Sequence, residues 1–217
     1  MRNKKEEENL SENIISLVTK LPYFGIDNLK ILKLSPNYLR IILFRLAKRE
    51  EIIRLKKGIY ASKKMVERME KENKFSSFLE FLAVKIYSPA YLSLEYVLYE
   101  NNILTEMPKN FTLIAKNKTA TFLNRFGVFI YHKLKDKLFL GFTIERANNF
   151  LIYKATKAKA LFDFLYLRKR EILNKEMAKE LRLNLGEFSP KEKKELKSYV
   201  DLEGSKKMRE IYSFLFR

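Results

Sequence analysis

The chain has 217 residues, 47% of them hydrophobic and 13% aromatic, enough to bury a core in one large domain or two modest ones. Forty-four Lys and Arg against 26 Asp and Glu leave a net charge of +18, a field that favours polyanions, nucleic acid first among them, although a lysine-rich proteome would produce the same surplus. With no cysteine and a single histidine, His132, the chain cannot form a disulfide, a thiolate ligand set or a zinc site, and no cofactor or metal is expected.

Residues 1–9 (MRNKKEEEN) have nothing to bury and predict a disordered tail. The first residues contain no apolar run of the signal-peptide kind and no later run is long enough to span a membrane, so the expectation is a cytoplasmic protein with no membrane partner. Leu10, Ile14, Leu17, Val18 and Leu21 then recur at three and four residues, predicting a helix with one apolar face that ends at Pro22. A short second helix can start near Asp27. Ser35-Pro36 is an N-cap residue followed by a proline where its missing N–H is harmless, so a third helix starts there. Along it Leu39, Ile42, Leu43 and Leu46 share a face, while Asn37, Arg40, Ile41, Phe44, Arg45 and Lys48 point away.

After Glu51 the pattern changes to β-formers, IIRL and IYAS, separated by Lys56-Lys57-Gly58, whose glycine can take the positive φ of a hairpin turn. Three helices followed by a basic hairpin is the order of a winged helix-turn-helix, placed at 10–62. Residues 63–74 (KKMVERMEKENK) read as a charged helical connection, and 75–217 as a second domain. That domain reads as two helices, over 75–87 and LSLEYVLYEN, then β-rich runs at 111–116, 127–134, 138–145 and 149–155. The middle pair is joined by Lys135-Asp136-Lys137, which predicts a small antiparallel sheet. Helices return from Thr156, with a cap at Ser189-Pro190 and a last segment KKMREIYSFLF. The expected fold class is α+β, an N-terminal winged helix-turn-helix followed by a C-terminal domain of helices around a small antiparallel sheet.

From Ser35 to Lys64 nine basic residues face two acidic ones, a net of +7 within 30 residues. A winged helix lays its third helix in the major groove and its hairpin against phosphates, so this concentration predicts binding to double-stranded DNA. Asn37, Tyr38, Arg40 and Ile41, on the N-terminal half of the helix, are placed for base edges: Asn suits adenine, Arg guanine, Ile a thymine methyl. Arg45, Lys48, Arg54, Lys56 and Lys57 complete the expected DNA-binding set, with Lys48, Arg54, Lys56 and Lys57 as phosphate contacts. Phe44 is expected to pack against the hairpin or the second domain. Some winged helices bind protein instead, and an outer helix face can be merely solvated charge.

Three local sequences carry a resemblance to a known family. They are Lys57-Gly58-Ile59-Tyr60 at the return of the hairpin, Pro89-Ala90-Tyr91-Leu92-Ser93 at the expected start of a helix, and Lys159-Ala160-Leu161-Phe162-Asp163 after the sheet. In this order, behind a winged helix, the stretch from Leu10 to Asp163 resembles the AbiEi antitoxins of type IV toxin–antitoxin (abortive infection) systems. It departs from them at Lys157 and Ala158, where such proteins often carry proline and glutamate. The resemblance implies a winged helix that represses its own operon by binding an operator, and a C-terminal domain that neutralises a nucleotidyltransferase-like toxin. The implied partners are operator DNA and that toxin or its RNA target, with the oligomeric state open. A winged-helix transcriptional regulator without a toxin is the alternative, and a nucleic-acid-cleaving enzyme a further one.

Read physically, Tyr60 and Tyr91 suit a core in which the hydroxyl finds a partner. Asp163, between Phe162 and Phe164, should pair with a base such as Lys159 at i−4 or cap a backbone donor. No catalytic set emerges. Asp136 precedes the run ending in Glu145, but Glu145-Arg146-Ala147 lacks the lysine two residues on that metal-dependent nucleases carry, the six glycines show no phosphate-binding spacing, and His132 lies inside a strand-like run, so the chain is read as not an enzyme.

Overall fold

The computed structural model describes residues 4–216 and has an α+β architecture with one two-stranded and one six-stranded sheet. Contacts divide the chain into two compact units, one holding the residues up to Leu82 together with Phe122–Gly127, the other Ala83–Thr121 with Val128–Arg217. The division therefore falls inside a helix that continues past Leu82, and not in the 63–74 segment expected to connect two domains. Among the described residues no helix is long and apolar enough to cross a membrane.

The first unit starts with α1 (Lys4–Val18). Of the tail expected at 1–9, residues 1–3 lie outside the described residues, but 4–9 are the opening turns of this helix and not a disordered segment. Glu7 explains part of the difference, because it finds a cationic partner on a later helix. Ile14 and Val18 are buried as their spacing predicts, whereas Leu17 lies on the flank and is 42% exposed. A 3₁₀ segment, Ile26–Leu32, takes the place of the second helix, and α2 (Pro36–Lys48) follows. Its start is local chemistry: the Ser35 hydroxyl accepts from the Tyr38 N–H at 3.3 Å and Pro36 occupies the first turn.

The strands β1 (Ile52–Lys56) and β2 (Ile59–Ser62) pair antiparallel around Lys57-Gly58, where Gly58 has φ +81°. One added pairing anchors this hairpin. Phe24 and Tyr60 exchange two backbone hydrogen bonds of 2.8 Å, and their rings stack at 5.7 Å. Leu39, Ile42, Leu43 and Leu46 of α2 meet Ile14, Val18, Phe24, Leu29, Ile52 and Tyr60 in one core, each large side chain contributing about 1.5–3 kcal/mol of burial. The segment expected as a connection is α3 (Lys63–Lys71), capped by Ser62 and burying Met65, Val66 and Met69 on one side.

The helix α4 (Phe75–Ile86) leads into the second unit and β3 (Ala90–Leu92). The residues Pro89 to Ser93, expected to begin a helix, instead supply this strand, and α5 (Leu94–Glu100) starts after it. The sheet is completed by β4 (Phe111–Ala115), β5 (Ala120–Asn124), β6 (Gly127–Lys133), β7 (Phe142–Ala147) and β8 (Phe150–Ala155), in the order β5-β6-β4-β3-β8-β7.

This sheet is mixed, not antiparallel as expected. The pairs β3–β4 and β7–β8 are antiparallel, but β4 runs parallel to β6 and β3 parallel to β8. The expected hairpin through Lys135-Asp136-Lys137 does not form. Three strands separate β6 from β7, and Asp136–Leu138 is a 3₁₀ turn within a longer crossing connection. The cause is β3: all three of its residues are buried, and it occupies the centre of the sheet, displacing the sequence-adjacent pair. Beyond the sheet come α6 (Lys157–Arg168), α7 (Lys175–Glu180), α8 (Pro190–Glu203) and α9 (Lys206–Phe216). The cap predicted at Ser189-Pro190 is a capping box with Glu192, and α9 occupies the span of KKMREIYSFLF.

Candidate nucleic-acid interface

Because the core takes Leu39, Ile42, Leu43 and Leu46, the helical repeat leaves Asn37, Arg40, Ile41, Phe44, Arg45 and Lys48 on the outside of α2. All six are exposed, and Tyr38 is half-buried at the edge. The Arg40 guanidinium donates to the Asn37 side-chain carbonyl at 2.7 Å, so two of the expected base-reading groups are already oriented by each other. Phe44, expected to be packed, is 66% exposed, and Ile41 is 48% exposed.

On the flank facing α1 the cations are paired. Arg45 forms an ion pair with Glu7, Arg49 donates to the Ser11 hydroxyl at 3.1 Å, and Arg49 also pairs with Glu51 at 3.1 Å. A hollow lined by Glu7, Glu8, Ser11, Arg45, Lys48 and Arg49 marks the seam. Reading the sequence missed Glu7, since a run of three glutamates carries no signal of its target on a helix some forty positions away.

The hairpin supplies the remaining expected residues. Arg54 on β1 and Lys57 at the turn are exposed. Lys56 is half-buried with its ammonium 5.4 Å from the centre of the Phe122 ring, and burial lowers its pKa from the ordinary lysine value. In the same unit the Asn124 amide donates to the Leu55 carbonyl at 3.1 Å, so the 122–124 segment braces the hairpin, while Phe126 meets Phe75 of α4 edge-on at 5.7 Å. The first unit thus brings Asn37, Arg40, Ile41, Arg45 and Lys48 onto one helix face and Arg54 and Lys57 onto the hairpin, while Tyr38 and Lys56 are partly withdrawn.

A second polar constellation lies wholly inside the other unit. Lys159 and Asp163, one turn apart on α6, form an ion pair with both side chains fully buried, as the i−4 spacing predicts. The other Asp163 oxygen accepts from the Tyr91 hydroxyl at 3.0 Å and the Ser93 hydroxyl at 2.8 Å. Two of the three resemblance-bearing segments therefore meet at one carboxylate. Burial pushes the Asp163 carboxyl up and the Lys159 ammonium down, while each holds the other against that shift. The Lys159 ammonium also lies 4.9 Å from the Phe162 ring centre and 5.6 Å from that of Tyr199. Gly141, at φ +77°, lets the chain pass: a Cβ there would stand 2.5 Å from the Tyr199 hydroxyl and 2.9 Å from Lys159 Cδ. With Lys159, Asp163, Tyr91 and Ser93 all buried and mutually satisfied, the cluster joins β3 to α6 and presents nothing to a substrate.

His132 lies within β6, half-buried, and burial holds its imidazole below the ordinary pKa, with Glu95 opposing and Arg168 adding to the shift. A groove of about 950 Å³ in this unit is lined by Glu95, Met107, Phe164, Arg168 and Arg182, with Arg168 paired to Glu95. Among the described residues no group of three His, Asp or Glu is placed to hold a metal ion. Compared with known proteins, the sequence matches no family model and no curated protein.

Proposed function

We propose that the chain is a DNA-binding antitoxin and autorepressor whose first unit is a winged helix-turn-helix. The observation that carries the DNA-binding half is the outer face of α2: a polar, cation-flanked helix surface, with Asn37 and Arg40 oriented together, followed by a hairpin bearing Arg54 and Lys57. The Phe24–Tyr60 pairing adds support, because a third extended segment locks the hairpin to the helices and stiffens a wing that would otherwise be a two-stranded ribbon of marginal stability.

In this reading α2 enters the major groove. Arg40 and Asn37 meet base edges, Ile41 meets a thymine methyl, and Arg45, Lys48, Arg54, Lys56 and Lys57 neutralise phosphates on either side. Each neutralised phosphate releases counterion, so affinity should depend steeply on salt. The antitoxin half rests on the resemblance to AbiEi proteins, and is supported by the way Tyr91, Ser93, Lys159 and Asp163, from separate matching segments, depend on one another. A regulator without a toxin differs from this only in the second unit's partner.

The test has two arms. Full-length protein titrated onto its own promoter DNA should bind with a log–log salt slope near −4.5 if about five phosphates are neutralised; affinity unchanged from low to moderate salt rules out the interface. Co-expression with an adjacent nucleotidyltransferase-like gene should restore growth, and growth arrest that the protein does not relieve removes the antitoxin role while leaving the DNA-binding one standing.

A further inference from the structure

The outer face of α2 is not uniformly polar. Phe44 and Ile41, 66% and 48% exposed, stand three positions apart and so side by side on the helix surface, about 5–6 Å between Cβ atoms. Neither belongs to the core, which takes the opposite face. Arg40 precedes Ile41, Arg45 follows Phe44, and Lys48 lies one turn beyond Phe44, so the apolar spot is enclosed by exposed cations. A protein-docking centre is normally depleted of charge, whereas this arrangement suits an occupant that is anionic at its rim and offers small apolar groups in the middle. The major groove has that chemistry: phosphates line its edges, and each thymine projects a C5 methyl into it.

We propose that Phe44, together with Ile41, forms a thymine-methyl reader that gives the protein a preference for A·T pairs beneath the middle of α2. The inference rests on the DNA-binding reading above and extends it to a residue that neither composition nor periodicity assigned to the interface. Base pairs rise about 3.4 Å along the duplex, so two side chains 5–6 Å apart address neighbouring base pairs and not the same one. Arg40 and Asn37, held together at 2.7 Å, then read a hydrogen-bonding edge one turn toward the N-terminus, leaving the apolar pair to distinguish thymine from cytosine.

The experiment uses the full chain and a duplex selected by it from a random pool. Binding is measured on that duplex and on versions in which single thymines are replaced by uracil, which removes the methyl and keeps the pairing edge. Wild-type protein should lose about fourfold in affinity at each contacted position. Phe44→Ala should bind the thymine duplex more weakly and become indifferent to uracil at one position, and Ile41→Ala should do the same at a neighbouring one. A selected sequence without thymine, indifference of the wild type to every uracil, or an undiminished uracil effect in Phe44→Ala overturns the proposal. So does a Phe44→Ala protein that changes only its self-association in sedimentation, which would make a second copy of the chain the occupant. Failure of the wild type to bind any duplex sinks the DNA-binding reading itself, a result separate from all of these.

Discussion

Lysine and arginine do opposite work in the two units. On α2 and the hairpin, Arg40, Lys48, Arg54 and Lys57 keep their charged ends in water, where an ion pair is weak and easily exchanged. Inside the second unit Lys159 is fully buried and bound to Asp163, which also holds Tyr91 and Ser93. The difference teaches that net charge speaks to partners only through the exposed fraction. A buried pair is satisfied locally, adds nothing to the outward field, and specifies which strand meets which helix.

The largest expected effect breaks the buried half of that contrast. Asp163→Ala leaves the Lys159 ammonium without its carboxylate and two hydroxyls without their acceptor, so the full chain should lose about 3–5 kcal/mol of stability in chemical denaturation. Replacing both partners by apolar residues, Lys159→Met with Asp163→Leu, should cost distinctly less, because no charge is stranded. If the single and double variants are equally unstable, the cluster acts through shape and not through charge.

The exposed half should respond in binding and not in stability. Arg40→Ala should cost about 1–3 kcal/mol on the preferred duplex and little on random DNA, while Lys57→Ala should weaken both alike. Equal losses on the two duplexes for Arg40→Ala would mean that α2 holds the backbone without reading bases.

The smallest effect sharpens the comparison at its boundary, where an exposed cation is already paired. Arg45 must leave Glu7 to meet a phosphate, and breaking such a pair costs about 0.2–1 kcal/mol. Glu7→Gln should therefore tighten DNA binding by that amount and leave the salt slope near its wild-type value, because Arg45 neutralises its phosphate in both proteins, with thermal stability nearly unchanged. A slope steeper by about 0.9 in the variant would show that Arg45 stays with α1 in the wild-type complex.

Several features of this molecule were legible along the chain. Ser35-Pro36 marks the start of α2, the spacing of Leu39, Ile42, Leu43 and Leu46 marks its buried face, and Lys57-Gly58 marks the hairpin. The pairing of Lys159 with Asp163 follows from their being one turn apart on an apolar helix. Other features were not legible. A three-residue strand such as β3 is too short to show alternation, and a fully buried one shows none in any case. The repeat puts Phe44 on the outer face of α2, where so large an aromatic side chain is expected to be covered by the hairpin or the second domain, yet it is 66% exposed.

The sequence by itself determined the start, the buried face and the polarity of α2 and the turn of the hairpin, because caps, turns and the 3.6-residue repeat act among residues a few positions apart. Only the tertiary structure decided the strand order of the second unit, the meeting of Tyr91 and Ser93 with Asp163, and the hold of Glu7 on Arg45. Those contacts join residues tens of positions apart, and they are selected by which arrangement buries the central strand on both faces and leaves no buried polar group without a partner.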